Sequence, residues 1–272
     1  MTHGSQRSLS LGGIGARLEL RLGGPRVEEL ESRLRTAWAR CLDPVGGVDA
    51  GSLPVALLDP PGELANLDRD AEELFGDDVE LLLLRTTQAV TTRLIEARAG
   101  DVLMFHAGAV CHPVTGASLV FVAESGTGKT TLTRTLAGHY GYLTDETVAI
   151  TTQNRIVAYP KPLSVRSQDS YFKQDLAPDD LLAAPGHIEP QVARLVLLDR
   201  DDDHHGEPSV EELDLFDAIT ALAPQTSSLH SLPRGLHRCA ELIEATGPVL
   251  RVRYREAPSL APLAAQLIGE VS

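Results

Sequence analysis

Between Val122 and Leu132 the chain reads Ala123-Glu124-Ser125-Gly126-Thr127-Gly128-Lys129-Thr130-Thr131. Glycines alternating with small polar residues, then a lysine and two hydroxyls, are what a loop needs to wrap a polyphosphate. Gly126 and Gly128 let main-chain N–H groups converge on phosphate oxygens with no Cβ in the way, and a helix starting near Lys129 adds its positive end. Lys129 is expected to reach the β- and γ-phosphates, and the Thr130 hydroxyl to ligate Mg²⁺. The usual pattern opens on Gly where this chain has Ala123, a change that costs little if φ there is negative. The expected binding set is therefore Glu124, Ser125, Gly126, Thr127, Gly128, Lys129, Thr130 and Thr131, with ATP and Mg²⁺ as the implied cofactors.

Such a loop must be held between a strand and a helix. Ala117–Val122 is an apolar run of strand length, and Leu132 and Leu136 lie on one face of a helix after the loop. Upstream, Val102–Val110 is a second apolar strand. The connection His112-Pro113-Val114-Thr115-Gly116 is of hairpin length, far short of a parallel crossover, so the two strands should pair antiparallel. The loop is thus fed from a hairpin, unlike ordinary phosphate-loop proteins, whose loop follows a strand of a largely parallel sheet.

Outside this centre the pattern alternates between helix and strand. Ala16–Leu22 reads as a strand, and Val27, Leu30, Leu34, Trp38 and Cys41 fall on one helical face. Leu53–Leu58 reads as a strand inside Gly- and Pro-rich loops, and Val79–Ala99 as a second helix closed by Gly100-Asp101. Further strands are expected at Gly141–Thr151, Ile156–Tyr159, Ala193–Leu198 and Val249–Tyr254. Helices are expected at Ser209–Ala223, Pro233–Ala245 and Leu260–Ile268. A boundary near Gly100 would divide an α+β portion, 1–99, suited to recognising an acceptor or partner, from a nucleotide-binding core, 100–272.

Composition narrows the classes further. The chain has 272 residues, enough to bury a core without metal or disulfide staples. With 24 Lys and Arg against 38 Asp and Glu, its net charge of −14 opposes polyanion binding through bulk charge, so no nucleic-acid partner is expected. Cys41, Cys111 and Cys239 are odd in number and widely spaced, which suggests neither a disulfide framework nor a zinc site and fits a reducing cytoplasm. The longest apolar runs, such as Leu81–Leu84, are far below the roughly 18 to 20 residues that span a bilayer, and no signal peptide or membrane partner is expected. A homo-oligomer is left open.

Ser125-Gly126-Thr127-Gly128-Lys129-Thr130-Thr131-Leu132 resembles the kinase loop of phosphoenolpyruvate carboxykinases, and its neighbourhood is similar to that of the HPr kinase/phosphorylases. Carboxykinases are about twice as long as this chain, so the HPr-kinase-like group is the better match. The resemblance covers roughly residues 100–170 well. It implies an α/β fold with a phosphate-loop-containing mixed sheet and a smaller N-terminal α+β portion. It further implies an ATP-dependent kinase transferring the γ-phosphoryl group to a hydroxyl, Ser-type above all, on a peptide, protein or small metabolite.

Within that resemblance, His106 in Met104-Phe105-His106-Ala107-Gly108-Ala109 matches the His that faces the phosphates. Leu143-Thr144-Asp145-Glu146 resembles the family's pair of acids at a strand end. The implied catalytic set is His106, Lys129, Asp145 and Glu146. The implied metal set is Thr130, Asp145 and Glu146, with either acid left open as the base that accepts the hydroxyl proton. Tyr159-Pro160-Lys161-Pro162-Leu163-Ser164-Val165 looks like a segment of the shorter HPr-kinase-like proteins. Ser164 stands where the phosphorolysis-associated signature has an acid, so no phosphorylase activity is expected. A rival reading comes from Leu195-Val196-Leu197-Leu198-Asp199, an apolar strand ending in Asp. If Asp199 faced the loop, the protein would be a phosphate-loop ATPase or nucleotide switch without an organic acceptor.

Overall fold

A computed structural model describes residues 7–60, 72–124, 127–166, 173–181 and 183–271. In chain order its strands and helices are β1 (Arg7–Gly13), β2 (Ala16–Gly23), α1 (Val27–Ala37), β3 (Val48–Leu57), β4 (Leu74–Gly76) and α2 (Val79–Arg98). There follow β5 (Leu103–Cys111), β6 (Ala117–Val122), α3 (Lys129–Ala137), β7 (Gly141–Thr144), β8 (Thr147–Ile150) and β9 (Ile156–Val157). Next come β10 (Leu163–Arg166), β11 (Lys173–Leu176), β12 (Ala184–Pro185), β13 (Gln191–Arg200) and β14 (Ser209–Glu212). The chain closes with α4 (Leu215–Leu222), β15 (Thr226–Ser227), α5 (Gly235–Thr246), β16 (Leu250–Tyr254) and α6 (Ala261–Ile268). The protein is mixed α/β with mixed sheets.

The chain divides into two compact units. The first is Met1–Arg98 with Pro160–Asp180, and the second is Ala99–Tyr159 with Leu181–Ser272. A single cut near residue 100 makes no provision for the return of 160–180 to the first unit. In that unit β1 to β4 lie side by side in order. The hairpin β1–β2 is antiparallel, with Gly13 opposite Ala16, and its two turn residues, Ile14 and Gly15, both take positive φ as a tight hairpin requires. β2–β3 and β3–β4 are parallel. Strict alternation along β2 buries Leu18, Leu20 and Leu22 and exposes Arg17, Glu19 and Arg21. α1 buries Leu30 and Leu34, and the chain then tightens into a 3₁₀ turn that buries Cys41. β10 and β11 form an antiparallel pair in this unit.

The second unit is built on a sheet whose path runs β12-β7-β5-β6-β13-β16-β14. β6, β13 and β16 are mutually parallel, whereas β5 is antiparallel to both β6 and β7. Hairpin pairing of β5 with β6 sets Ala107 opposite Val122 and Cys111 opposite Ser118. Each face of the sheet has its own core. On one face Phe105, Ala107, Val122 and Leu195 pack with Ala218, Leu222, Leu242 and Ile243 of α4 and α5. On the other, Val110, Phe121, Val196 and Val252 pack with Leu132 and Leu136 of α3 and Ala264 and Ile268 of α6. Central strands buried on both faces read as continuous apolar runs, which is why β5, β6 and β13 stand out in the sequence.

Two expectations need correction. Ser209–Ala223 is not one helix: Ser209–Glu212 is the exposed edge strand β14, antiparallel to β16, and α4 begins only after Asp214, whose carboxylate accepts from the Asp217 N–H at 2.8 Å. Gly141–Thr151 is two strands, not one. The chain turns at Asp145-Glu146, so β7 and β8 pair with different parts of β5.

Candidate active site around the phosphate-loop motif

β6 ends at Val122 and α3 begins at Lys129, so the motif spans a strand-to-helix junction as the sequence required. Ser125 and Gly126 lie outside the described residues. Ala123 is buried and is not among the residues with positive φ, so alanine fits at the position where the usual pattern has glycine. Gly128, immediately before the helix, has φ +95°, a conformation that costs a side-chain-bearing residue about 1–2 kcal/mol. A Cβ there would stand 3.6 Å from the Tyr254 hydroxyl, so the demand for glycine comes from the backbone and not from crowding. Thr127 closes a small turn, its hydroxyl donating to the Glu124 carbonyl at 2.8 Å, and its own carbonyl accepts from Tyr254 at 3.2 Å. Lys129 is 6% exposed, and Nζ donates to the carbonyls of Ala123 and Glu124 at 2.6 and 2.8 Å. The ammonium is therefore held across the mouth of the loop.

α3 seats on β5 through a close approach the sequence did not announce. A Cβ on Gly108 would lie 2.3 Å from the Thr133 hydroxyl, so glycine alone lets the helix come this near the strand. This contact sets where the first turn of α3 delivers Lys129 and Thr130. The Thr130 hydroxyl donates to Asp145 Oδ2 at 2.9 Å. Asp145 is 4% exposed, and its other oxygen accepts from the Tyr142 hydroxyl at 3.2 Å. Tyr142 thus orients the carboxylate. Tyr140 donates to the Gly269 carbonyl at 2.9 Å, a contact on the C-terminal segment.

His106 lies on β5, on the same strand face as Gly108, and its pairing with Thr147 sets it beside the Asp145-Glu146 turn. The Glu146 carbonyl accepts from the Ala107 N–H at 3.0 Å, which fixes that turn to the strand. Burial is the main force pulling the imidazole below its usual pKa, and the Lys129 ammonium adds to it. Glu146, by its charge and a backbone hydrogen bond, and Asp145 oppose the shift. A neutral imidazole, an ammonium, a hydroxyl and two acids are thus gathered at one side of the loop.

Asp199 lines a cleft together with Ala123, Glu124 and Thr127, but its carboxylate pairs with Arg253 across β13 and β16, Nε to Oδ2 at 2.9 Å, while Thr130 turns to Asp145. Lys161 and Ser164 belong to the first unit: Lys161 is 1% exposed with Nζ on the Pro162 carbonyl at 2.9 Å, and Ser164 donates to Asp175 at 2.6 Å. Cys111 accepts from the His187 N–H, and burial raises its thiol pKa, which removes the thiolate a nucleophile needs. Burial likewise pushes Cys41 to about 12 and Cys239 to about 11. Among the described residues no three His, Cys, Asp or Glu side chains, those of Asp201–His205 included, group so as to hold a metal ion. One hydroxyl and one carboxylate in contact do suit an ion that takes its remaining oxygens from phosphate and water, as Mg²⁺ does.

Sequence reasoning missed the cleft at the end of β6. It has a volume of about 570 Å³ and runs from Ala123, Glu124 and Thr127 along the end of β13 to Thr220, Ala221, Pro224 and Gln225. Only tertiary packing brings the end of α4 here. The first unit has a cavity of about 380 Å³ bordered by Arg21, Val27 and Phe75, and no candidate site residue lines it.

No family model matches the chain, and no curated protein matches it. Among solved structures it is similar to the HPr(Ser) kinase/phosphatase of Coxiella burnetii, at 11% identity and a TM-score of 0.33, over 61% of this chain and 93% of that one. A likeness at this level assigns neither family nor activity. Among the described residues no helix is long and apolar enough to cross a membrane.

Proposed function

We propose that the protein is an ATP- and Mg²⁺-dependent phosphotransferase that moves the γ-phosphoryl group to a hydroxyl on a peptide, protein or small metabolite. The observation that carries the reading is the Thr130–Asp145 hydrogen bond at 2.9 Å, made where the phosphate-loop motif enters α3 and beside the Lys129 ammonium. That contact joins the loop to an acid, which plain phosphate binding would not require. The resemblance of the loop and of the Asp145-Glu146 pair to HPr-kinase-like proteins supports the same reading, and within it residues 100–272 supply the kinase core and 1–99 a recognition element.

Phosphoryl transfer is chiefly a matter of charge neutralisation and in-line positioning. Lys129 and the first N–H groups of α3 would hold the β- and γ-phosphates. Bound Mg²⁺ would sit on Thr130 and Asp145 and neutralise charge on the phosphate oxygens. Asp145 suits that role because hydrogen bonds from Thr130 and Tyr142 already orient both its oxygens. Glu146, less buried, would accept the acceptor's hydroxyl proton as the new O–P bond forms and the bond from the γ-phosphorus to the β–γ bridging oxygen breaks, releasing ADP. His106, neutral near pH 7, would contribute a hydrogen bond and not a positive charge.

Incubation with γ-labelled ATP and a panel of serine peptides, proteins and polyols tests this. Label should move to an organic hydroxyl, dependent on Mg²⁺ and on Lys129. Release of inorganic phosphate with no labelled acceptor would replace the kinase reading by the ATPase one.

A further inference from the structure

We propose that the outer edge of β14 is a docking strand for a polypeptide partner, which adds to the sheet an extended segment of alternating apolar and basic residues. β14 ends the sheet path on one side, and all four of its residues are exposed. It pairs antiparallel with β16, Ser209 opposite Arg253 and Glu211 opposite Arg251. The Leu213 N–H donates to the Val249 carbonyl at 2.9 Å, which sets the phase of the ladder: Ser209, Glu211 and Leu213 turn their main-chain groups toward β16. The alternation along β16 agrees, because the Tyr254 carbonyl faces the other way and accepts from the Asp201 N–H just past β13. Val210 and Glu212 therefore point their N–H and C=O groups outward, where they have no partner among the described residues. Two donors and two acceptors at an open edge are the template that strand addition uses.

Side chains define the segment that fits. Val210 and Glu212, two residues apart, share one face of the strand. Val210 is 47% exposed, and just past the strand Leu215 and Phe216 are 40% and 78% exposed, so apolar surface borders the edge. Charge there is one-sided. The Glu211 carboxylate is taken by Arg251, whereas Glu207, Glu212 and Asp217 are exposed and have no ion pair among the described residues. Self-pairing with a second copy would crowd these carboxylates against their own copies, which argues against that occupant. A strand with an apolar residue opposite Val210 and Lys or Arg opposite Glu212 meets no such cost, and the net charge of −14 steers the same kind of partner.

A phage library of random octapeptides panned against the full chain supplies the probe, and the enriched peptides are then synthesised. They should carry Lys or Arg alternating with apolar residues and bind more weakly as salt rises. Bound peptide should slow hydrogen exchange at the Val210 and Glu212 amides and leave Glu211, already in the ladder, little changed. Val210→Pro removes an outward N–H and no bond to β16, so it should fold and lose peptide affinity by about tenfold or more. Glu212→Lys should weaken the same peptides by about tenfold or more and turn the library's preference to acidic sequences. A library that yields no binder, enriched peptides without basic residues, or equal binding to wild type and folded Val210→Pro would overturn the assignment. A concentration-dependent dimer that Val210→Pro dissolves would overturn it in favour of self-pairing.

Discussion

The seating of α3 on β5 can be tested by Gly108→Ala and Thr133→Ala, singly and together. The added Cβ would start 2.3 Å from Thr133 Oγ1 and 3.6 Å from its Cβ, so helix and strand must part by about 1 Å to reach ordinary contact. β-branched Thr133 has little χ1 freedom in a helix, and it is fully buried. Overpacking of this kind costs about 1–3 kcal/mol, offset by about 0.5–1 kcal/mol for replacing a strand glycine, so Gly108→Ala should lose about 1–2 kcal/mol. Thr133→Ala removes a methyl worth about 0.8 kcal/mol, but also a buried hydroxyl with no hydrogen-bond partner among the described residues, and should be close to neutral. In the double variant the clash is absent, and the coupling should be about 2 kcal/mol in favour of the pair. Urea unfolding at constant slope measures all four corners. Equal losses from Gly108→Ala with and without the threonine hydroxyl would refute the close-approach argument. Because the same contact aims Thr130 at Asp145, ATP turnover should fall in Gly108→Ala and recover in the double variant.

Three further outcomes follow from the site. Lys129→Met should abolish binding of both ATP and tripolyphosphate in a calorimetric titration, since the ammonium spans the loop's mouth. Asp145→Asn should lower turnover by about 100-fold or more through lost charge stabilisation of the transferring group, while ATP affinity changes by about threefold or less, as read from initial rates and equilibrium binding. His106 has a native pKa below its unfolded one, so between the two values the unfolded chain binds more protons and stability must rise with pH. Acidification from pH 7.5 to 5.5 should therefore lower the melting temperature more in the wild type than in His106→Gln. Ring NMR should place the His106 pKa below that of ordinary histidines and show it rising in Lys129→Met. Identical acid sensitivity of wild type and His106→Gln would remove His106 as the buried neutral group.

The sequence made legible what is encoded locally. The loop motif, the apolar central strands and the five-residue hairpin connection each carry their signal in adjacent residues, and they led to β5, β6 and α3. β14 was lost because Ser209-Val210-Glu211-Glu212 is polar and exposed, and its strand character comes only from pairing with β16 at the sheet edge. A start signal for α4 was present in Asp214 and Asp217, but a helix begun earlier swallowed it. β3 begins at Val48, five residues before the apolar stretch that revealed it, because its first half is exposed and offers no alternation to read. β1 was missed because it begins within the polar start of the chain, which gave no reason to look for a strand there.

Sheet order is the step that turns these elements into a site. The acids after β7 acquire meaning only because β7 lies next to β5, and β5 next to the strand that feeds the loop. Asp199 and Asp145 each close an apolar strand and look alike as sequence. They differ because β13 sets Asp199 opposite Arg253, which takes its carboxylate, whereas the turn after β7 leaves Asp145 within reach of the first hydroxyl of α3. The same order gathers His106 and the acids beside β5, while the end of β6 opens on a cleft that mixes Leu197, Ala221 and Pro224 with Asp199, Arg200 and Arg251.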